Sequence, residues 1–477
     1  MRRLIPVLCA TACLLAQTLF AAPRPNVVLI IPDDQTYRDF GFMGNPLVKT
    51  PHLDKLAAQS ARYPNGYVPT SVCSPSLATL LTGLYPHQHG IHYNHPPPGN
   101  AAFNKMTSAA EYERVRGRSF YLIQSVPTLP RVLAQNGYRC LQTGKFWEGH
   151  YRNAGFTDGM TLFKADAQLA YNKRKMPDGT FVAHGNGDYG LTIGRDTMQP
   201  ITDFLDACGK EQPFLIWYAP FLPHQPHDSP KKFYDLYKNT PGLPEHQVPY
   251  YAAISQFDDT VGQLIGEIER RGLAGNTLFV LCTDNGWTAS TQRERSRPEE
   301  FAHTRESKRS PFEDGLRTPI LFRWDGRVKP ATHDALVSSV DVVPTIVSAV
   351  GLKAAIAKLP GVDLLPSAKG ESPAPARPVF GEIYPGDATA LGEPSRDIAY
   401  RWVRSGDYKL IVPHRHNGKK PWEEFLLQPA LFNVATDPGE KNDLSSAPAH
   451  AGRLKELRRL LDDWWTPGDD SAVPKPK

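Results

Sequence analysis

Asn26-Val27-Val28-Leu29-Ile30-Ile31-Pro32-Asp33-Asp34 is an unbroken aliphatic run that ends abruptly in two carboxylates. Apolar residues without polar alternation predict a strand covered on both faces, as in parallel sheets flanked by helices. Acids at its carboxyl end stand where open α/β sheets place their ligands. A second run, Asn276-Thr-Leu-Phe-Val-Leu-Cys-Thr-Asp284-Asn285-Gly286, also ends in an acid and an amide. Asp and Asn are ordinary turn residues at strand ends, so either pair alone says little. If the two ends converge, Asp33, Asp34, Asp284 and Asn285 supply hard oxygen ligands for a divalent cation such as calcium.

Between these strands lies Thr70-Ser-Val-Cys73-Ser-Pro-Ser-Leu-Ala-Thr-Leu-Leu-Thr-Gly83. Ser74 reads as an N-cap and Pro75 as the first helical residue, which places Cys73 just outside a helix N-terminus that favours an anion. A lone cysteine is ordinarily a small buried hydrophobe. The two acid-ended strands make Cys73 a reacting atom instead.

These segments, in this order and with Leu431-Phe-Asn-Val-Ala-Thr-Asp-Pro-Gly-Glu-Lys-Asn-Asp-Leu near the C-terminus, make the chain resemble the sulfatase family of the alkaline-phosphatase-like superfamily. The resemblance covers nearly all of the chain after the leader. It implies a large α/β domain with a central, mostly parallel sheet flanked by helices, and a small C-terminal antiparallel sheet with a helix. It also implies that a maturation enzyme, a transient partner, oxidises Cys73 to formylglycine, whose hydrate attacks a sulfate ester beside calcium. Residue 73 would join Asp33, Asp34, Asp284 and Asn285 around the ion. Lys145 (Thr-Gly-Lys-Phe-Trp), His224 (Phe-Leu-Pro-His-Gln-Pro-His) and Lys308 (Lys-Arg-Ser-Pro-Phe-Glu) match the sulfate-contacting positions of the family, and a sulfated carbohydrate is the substrate class it suggests.

Two residues depart from the family pattern. Leu77 stands where the signature after the cysteine has arginine, and Trp147 stands where a histidine follows the lysine. Leucine donates no hydrogen bond, and an indole N–H cannot take a proton. Each lost electrostatic group typically costs about 10²–10³ in rate. Glu148, His150 and the cluster His87, His89 and His92 are the nearby groups available to compensate; the cluster lacks a zinc spacing. Two other readings therefore stay open: a phosphate- or phosphonate-ester hydrolase of the same superfamily, and a catalytically silent protein that binds sulfated glycans.

Met1-Arg-Arg, the apolar stretch Leu4 to Phe20 and the small Ala21 and Ala22 read as a signal peptide over 1–22, which predicts export to the periplasm or beyond. No later segment reads as a stable membrane span. Cys9 and Cys13 leave with the leader; Cys73, Cys140, Cys208 and Cys282 allow at most one disulfide once Cys73 is modified. A net charge of +5 without a long basic run argues against nucleic acid as a partner.

The length accommodates a catalytic domain over 23–364, a Pro/Ala/Ser-rich linker over 365–378 and a small subdomain over 379–477. Pro213–Ala219 and Pro319–Trp324 read as further strands, and Tyr251 to Arg271 as a helix. Short strands near Pro378, Ile398 and Tyr408 precede an amphipathic helix from Arg453 to Trp465, with Leu454, Leu457, Leu460, Leu461 and Trp464 on one face. Aperiodic stretches at 93–120, 164–195 and 287–309 are expected to shape specificity, and Tyr93, Phe120 and Tyr189 are the aromatics within them that would stack on a sugar or, more simply, pack.

Overall fold

The computed structural model describes residues 24–164, 173–183, 189–287, 306–353, 358–414 and 424–475. The expected leader over 1–22, with Cys9 and Cys13, lies outside these, as do parts of the stretches 164–195 and 287–309. The large sheet contains β1 (Asn26–Ile30), β2 (Ala61–Tyr67), β3 (Arg139–Gly144) and the short β4 (Asp158–Gly159). β5 (Lys173–Lys175) and β6 (Phe181–Ala183) form a separate hairpin. The sheet continues with β7 (Phe214–Ala219), β8 (Thr277–Leu281), β9 (Arg317–Arg323), β10 (Ala331–Thr332) and β11 (Val337–Ser338).

Its order is β10-β2-β9-β8-β1-β7-β3-β4, with β11 also on β2. Every pairing is parallel except those of β9, which runs antiparallel to both β2 and β8. The carboxyl ends of β2, β8, β1, β7 and β3 therefore share one edge. Because β9 runs the other way, the chain entering it reaches that same edge.

Alternation along the central strands builds two cores. Val27 and Leu29 of β1, Leu278 and Val280 of β8, and Leu215 and Trp217 of β7 face one core, while Val28, Ile30, Phe279, Leu281, Ile216 and Tyr218 face the other. Each strand is thus buried on both sides, which is what its unbroken apolar run requires. Helices α1 (Pro51–Ala58), α2 (Cys73–Thr82), α3 (Gln199–Cys208), α4 (Val248–Arg270) and α5 (Val342–Ala349) supply the cover. α2 and α5 pack on the Val27 side; α1, α3 and α4 pack on the Val28 side.

Two helix starts differ from the sequence reading. α2 begins at Cys73 with Val72 as its N-cap, so Ser74 and Pro75 lie inside the first turn. The Ser74 N–H donates to Asn94 Oδ1 (2.9 Å), a capping partner twenty residues away that displaces the local Ser74 signal. α4 starts at Val248, ahead of the expected Tyr251, because Pro249 suits a first helical turn. The stretch 93–120, read as aperiodic loop, contains helices Asn100–Phe103 and Ala109–Gly117.

The C-terminal part forms an antiparallel sheet of β12 (Val379–Ile383), β13 (Tyr400–Ser405), β14 (Tyr408–Pro413) and β15 (Ala430–Asn433). The last strand departs from the sequence reading, although it holds Leu431-Phe-Asn433 of the C-terminal family segment. Val379, Ile383, Trp402 and Ile411 turn toward the α2 core, whereas Val403, Leu410 and Val412 turn toward helix α6 (Ala451–Trp464) through Leu457 and Leu461. Residues 365–368 make a helical turn with Leu365 and Ala368 in the main core. Buried Lys409 ties the two parts through Glu313 (3.2 Å) and Glu440 (2.9 Å). Among the described residues no helix is long and apolar enough to cross a membrane.

Candidate active site

The shared sheet edge collects the residues singled out from sequence. Asp33 and Asp34 follow β1, Asp284 and Asn285 follow β8, Lys145 follows β3, and His224 lies beyond β7. Cys73 opens α2 after β2, and Lys308 lies on the approach to β9. In an extended strand Asp33 and Asp34 would point to opposite faces. Asp34 instead adopts φ = 61°, in the left-handed region that Asp tolerates better than most residues, and both carboxylates turn into the site. Gly144 (φ = 73°) turns the chain sharply into Lys145; a Cβ there would come within 1.9 Å of the Ala219 carbonyl oxygen.

Ligand atoms of Asp33, Asp34, Cys73 and Asp284 all lie within 4.8 Å of one another. Lys145 Nζ stands 2.5 Å from Asp33 Oδ1 and 3.5 Å from Asp284 Oδ2. Lys308 Nζ donates to both oxygens of Asp34 (2.6 and 2.8 Å), and Asn285 Nδ2 donates to Asp34 Oδ1 (2.6 Å). His224 Nδ1 faces the Gln225 carbonyl oxygen (2.7 Å), which leaves Nε2 directed at Asp34 Oδ2, 3.5 Å away. Cys73 Sγ lies 4.0 Å from Asp34 Oδ1.

Burial dominates the acid–base balance. It pushes Asp33 well above the usual carboxylate range, with Asp284 and Asp34 adding to the rise against the pull of Lys145. For Asp34 burial is outweighed by Lys308 and His224, which hold it well below that range. Burial carries the Cys73 thiol up to about 11 despite Lys145 and Lys308, so the unmodified thiol is a poor nucleophile near neutral pH. Burial also drives His224 well below its ordinary value. Among the described residues, Asp33 Oδ2 and Asn285 Oδ1 are buried without a hydrogen-bond partner. Crowded carboxylates and two orphaned oxygens fit an oxygen-ligated divalent cation, which would satisfy both.

Leu77 is buried in the core beneath α2, two residues further from the helix start than a start at Pro75 would place it. Trp147 is also buried, with Arg116 over its ring (5.4 Å). Glu148 is buried and hydrogen-bonded to Ser74; burial raises it to about 7 against Arg116 and Ser74. His150 instead accepts from the Arg152 N–H and bridges to Leu162. The histidine cluster does not line the pocket rim: His87 engages Glu382, His92 engages Asp397 and His89 lies 3.4 Å from Thr79, all buried. Tyr93 and Phe120 are buried, and Tyr189 is exposed.

Sequence reasoning missed Arg195. Its guanidinium donates to the carbonyl oxygens of Phe221 (2.7 and 2.9 Å), His224 (2.8 Å) and Pro226 (3.0 Å) and pairs with Asp228. Phe221 in turn stacks on the His224 ring, 4.2 Å between centroids. One side chain thus gathers the loop that presents His224. No local pattern marks Arg195, because these guanidinium partners lie more than two dozen residues away.

The family model described as Sulfatase matches residues 25–352, and that described as N-sulphoglucosamine sulphohydrolase, C-terminal, matches 302–465. Arylsulfatase A of Homo sapiens is 28% identical, covering 94% of this chain and 89% of its own. N-acetylgalactosamine-6-sulfatase of Homo sapiens is 26% identical over 90% of this chain and 83% of its own. Solved structures of the same fold include a 2-O GAG sulfatase (TM-score 0.63, 19% identity, 95% and 94% coverage of this chain and that one). They also include a phosphonate monoester hydrolase from Silicibacter pomeroyi (TM-score 0.64, 19% identity, 92% and 95% coverage).

Proposed function

The chain belongs to the sulfatase family, and from that premise we propose that it is an exported, calcium-dependent sulfuric ester hydrolase that acts on a sulfated carbohydrate through formylglycine made from Cys73. The observation that carries this reading is the convergence of Cys73 Sγ with three carboxylates, two lysines and one imidazole at a single sheet edge. The carbohydrate part rests on relatives whose names specify sulfated sugars.

Oxidised to formylglycine, residue 73 would supply a hydrate oxygen as the nucleophile toward sulfur, which a thiol cannot provide. A calcium ion held by Asp33, Asp34, Asp284, Asn285 and residue 73 would supply Lewis-acid polarisation of that site. Lys145 lies between Asp33 and Asp284 and carries its charge toward the leaving oxygen. Lys308 and His224 both face Asp34; Lys308 neutralises the remaining sulfate oxygens, and His224 adds a polar contact beside it. Because these groups are buried, they keep their orientation and act with little solvent screening. Trp147 cannot accept a proton, and Glu148, next in the chain and bonded to Ser74, takes that role.

Peptide mass spectrometry of residue 73 in protein from the native host, paired with turnover of 4-methylumbelliferyl sulfate, tests the reading. Aldehyde or hydrate at residue 73 and turnover lost on chelation are expected. Unmodified thiol with tight binding of sulfated glycans and no turnover would favour the silent binding protein, the reading that Leu77 and Trp147 support. Phosphonate-ester turnover exceeding sulfate-ester turnover would favour the superfamily alternative.

Arg195 supplies a second test. Arg195→Ala is expected to lower kcat/KM by about 10²-fold, the cost of misplacing an active-site group by roughly an ångström. Inhibition by inorganic sulfate should weaken in parallel, because His224 moves with its loop. Arg195→Lys should recover part of both. A fall in thermal stability with unchanged sulfate inhibition would make Arg195 structural only.

A further inference from the structure

A second polar cluster, on segments joined to the residues that flank Cys73, takes no part in the chemistry above. His95 and Asp387 come from two segments that backbone hydrogen bonds lock together, and Arg309 comes from a third that is tied to Ser71, two residues before Cys73. The Asn94 and His95 N–H groups donate to the Gly386 carbonyl (2.7 and 3.0 Å), Ala388 N–H donates to the His95 carbonyl (3.0 Å), and Arg309 N–H donates to the Ser71 carbonyl (2.9 Å). Two of these segments also hold the site: Asn94 caps Ser74, and Lys308 engages Asp34. The His95 ring meets the Trp147 ring edge-on, 6.1 Å between centroids.

Asp387 is fixed from behind and open in front. Its Oδ1 pairs with His95 Nδ1 (3.1 Å) and its Oδ2 accepts from the Asn100 N–H (2.9 Å), yet the side chain remains 49% exposed. Each carboxylate oxygen has a further lone pair available. Burial would raise its pKa, but the His95 and Asn100 hydrogen bonds, with the His95 and Arg309 charges, outweigh this and hold it below the usual range, so it stays an ionised acceptor. The Arg309 guanidinium lies against Gly386 (φ = 102°), in ordinary van der Waals range (3.9 Å) of a Cβ built there. A fixed carboxylate acceptor thus stands beside a guanidinium donor.

This pairing suits two neighbouring hydroxyls of a sugar ring, one donating to Asp387 and the other accepting from Arg309. A second anionic substituent at that place would meet the Asp387 charge at close range. We propose that Asp387 and Arg309, with His95 as a positioning residue, form the subsite for the ring bearing the scissile sulfate, and that this subsite selects free hydroxyls over a second charged group. The proposal rests on the sulfatase reading above.

The test uses the full-length Cys73→Ser protein, which binds without turnover, titrated calorimetrically with inorganic sulfate, N-acetylgalactosamine 6-sulfate, N-acetylglucosamine 6-sulfate and glucosamine 2-N,6-O-disulfate. At least one monosulfated sugar should bind more tightly than the disulfated one. Adding Asp387→Asn should weaken that sugar relative to inorganic sulfate by about tenfold, the scale of a charge-assisted hydrogen bond. It should also improve the disulfated sugar relative to the monosulfated one, a reversal that structural damage would not produce. An unchanged ratio, or tighter wild-type binding of the disulfated sugar, overturns the subsite while leaving the sulfatase reading intact. Failure to bind sulfate in any form overturns both.

Discussion

Cys73→Ala is expected to lower sulfate-ester turnover by on the order of 10⁴-fold or more while the fold persists, since removing the nucleophile of a covalent hydrolase removes the step the other groups serve. Such a loss corresponds to about 5 kcal/mol of transition-state stabilisation. Lys145, Lys308 and His224 would remain, and they still bind an anion, so inhibition by inorganic sulfate should survive in the variant. The structural cost is small by comparison. Cys73 is buried at the first position of α2, and replacing its sulfur by hydrogen costs about 1 kcal/mol at a packed site. The raised thiol pKa sharpens the interpretation, because a thiol held near 11 leaves little thiolate to act in the unmodified protein. Turnover that persists in Cys73→Ala would remove the formylglycine mechanism altogether; circular dichroism and thermal unfolding check that the fold is retained.

The framework of the site was legible because its carriers are continuous apolar strands. Buried strands announce themselves by unbroken apolar runs, and the acids that end β1 and β8 stand out against them. Lys145, His224 and Lys308 had no such contrast, and only the family resemblance singled them out. What local patterns missed is held by distant partners. Asn94 overrides the Ser74–Pro75 signal at the start of α2, Arg195 gathers the His224 loop from another segment, and Asp387 reaches His95 across nearly three hundred residues. The histidines at 87, 89 and 92 show the opposite failure. They form a conspicuous cluster in sequence, yet the fold uses them for buried contacts to α2, to β12 and to the loop before β13.

The departures at 77 and 147 also gain a physical reading. An arginine at 77 would have to lie in the apolar core that Leu77 fills, where an unpaired charge is costly. Arg116 is stacked on Trp147 and donates to the Asn94 carbonyl, so it supports the same residue that caps α2. Arg116, Trp147 and Asn94 thus form a buried arrangement behind Ser74, with Glu148 also bonded to Ser74.

Asp34→Ala is expected to abolish both stoichiometric calcium and turnover, the latter by about 10³-fold or more, because a single carboxylate links most of the site. Asp34 accepts from Lys308 and Asn285, faces His224 and lies beside Cys73. Its removal leaves Lys308 buried beside Lys145 without its main counter-charge, and breaking one side of a buried pair typically costs about 3–5 kcal/mol. The ion gives a readout that separates these effects. A ligand bound only to the folded state at about 100 times its Kd adds roughly 2.7 kcal/mol, so chelation should lower the wild-type Tm by several degrees. The variant should melt at a lower temperature and show no further change on chelation. Asp34→Asn keeps the shape of the side chain and removes its charge; it should lose the ion with a smaller drop in stability. Calcium retained at one per chain in Asp34→Ala, with an undiminished response to chelation, would show that the ion is held elsewhere and that the carboxylates at the ends of β1 and β8 serve the lysines alone.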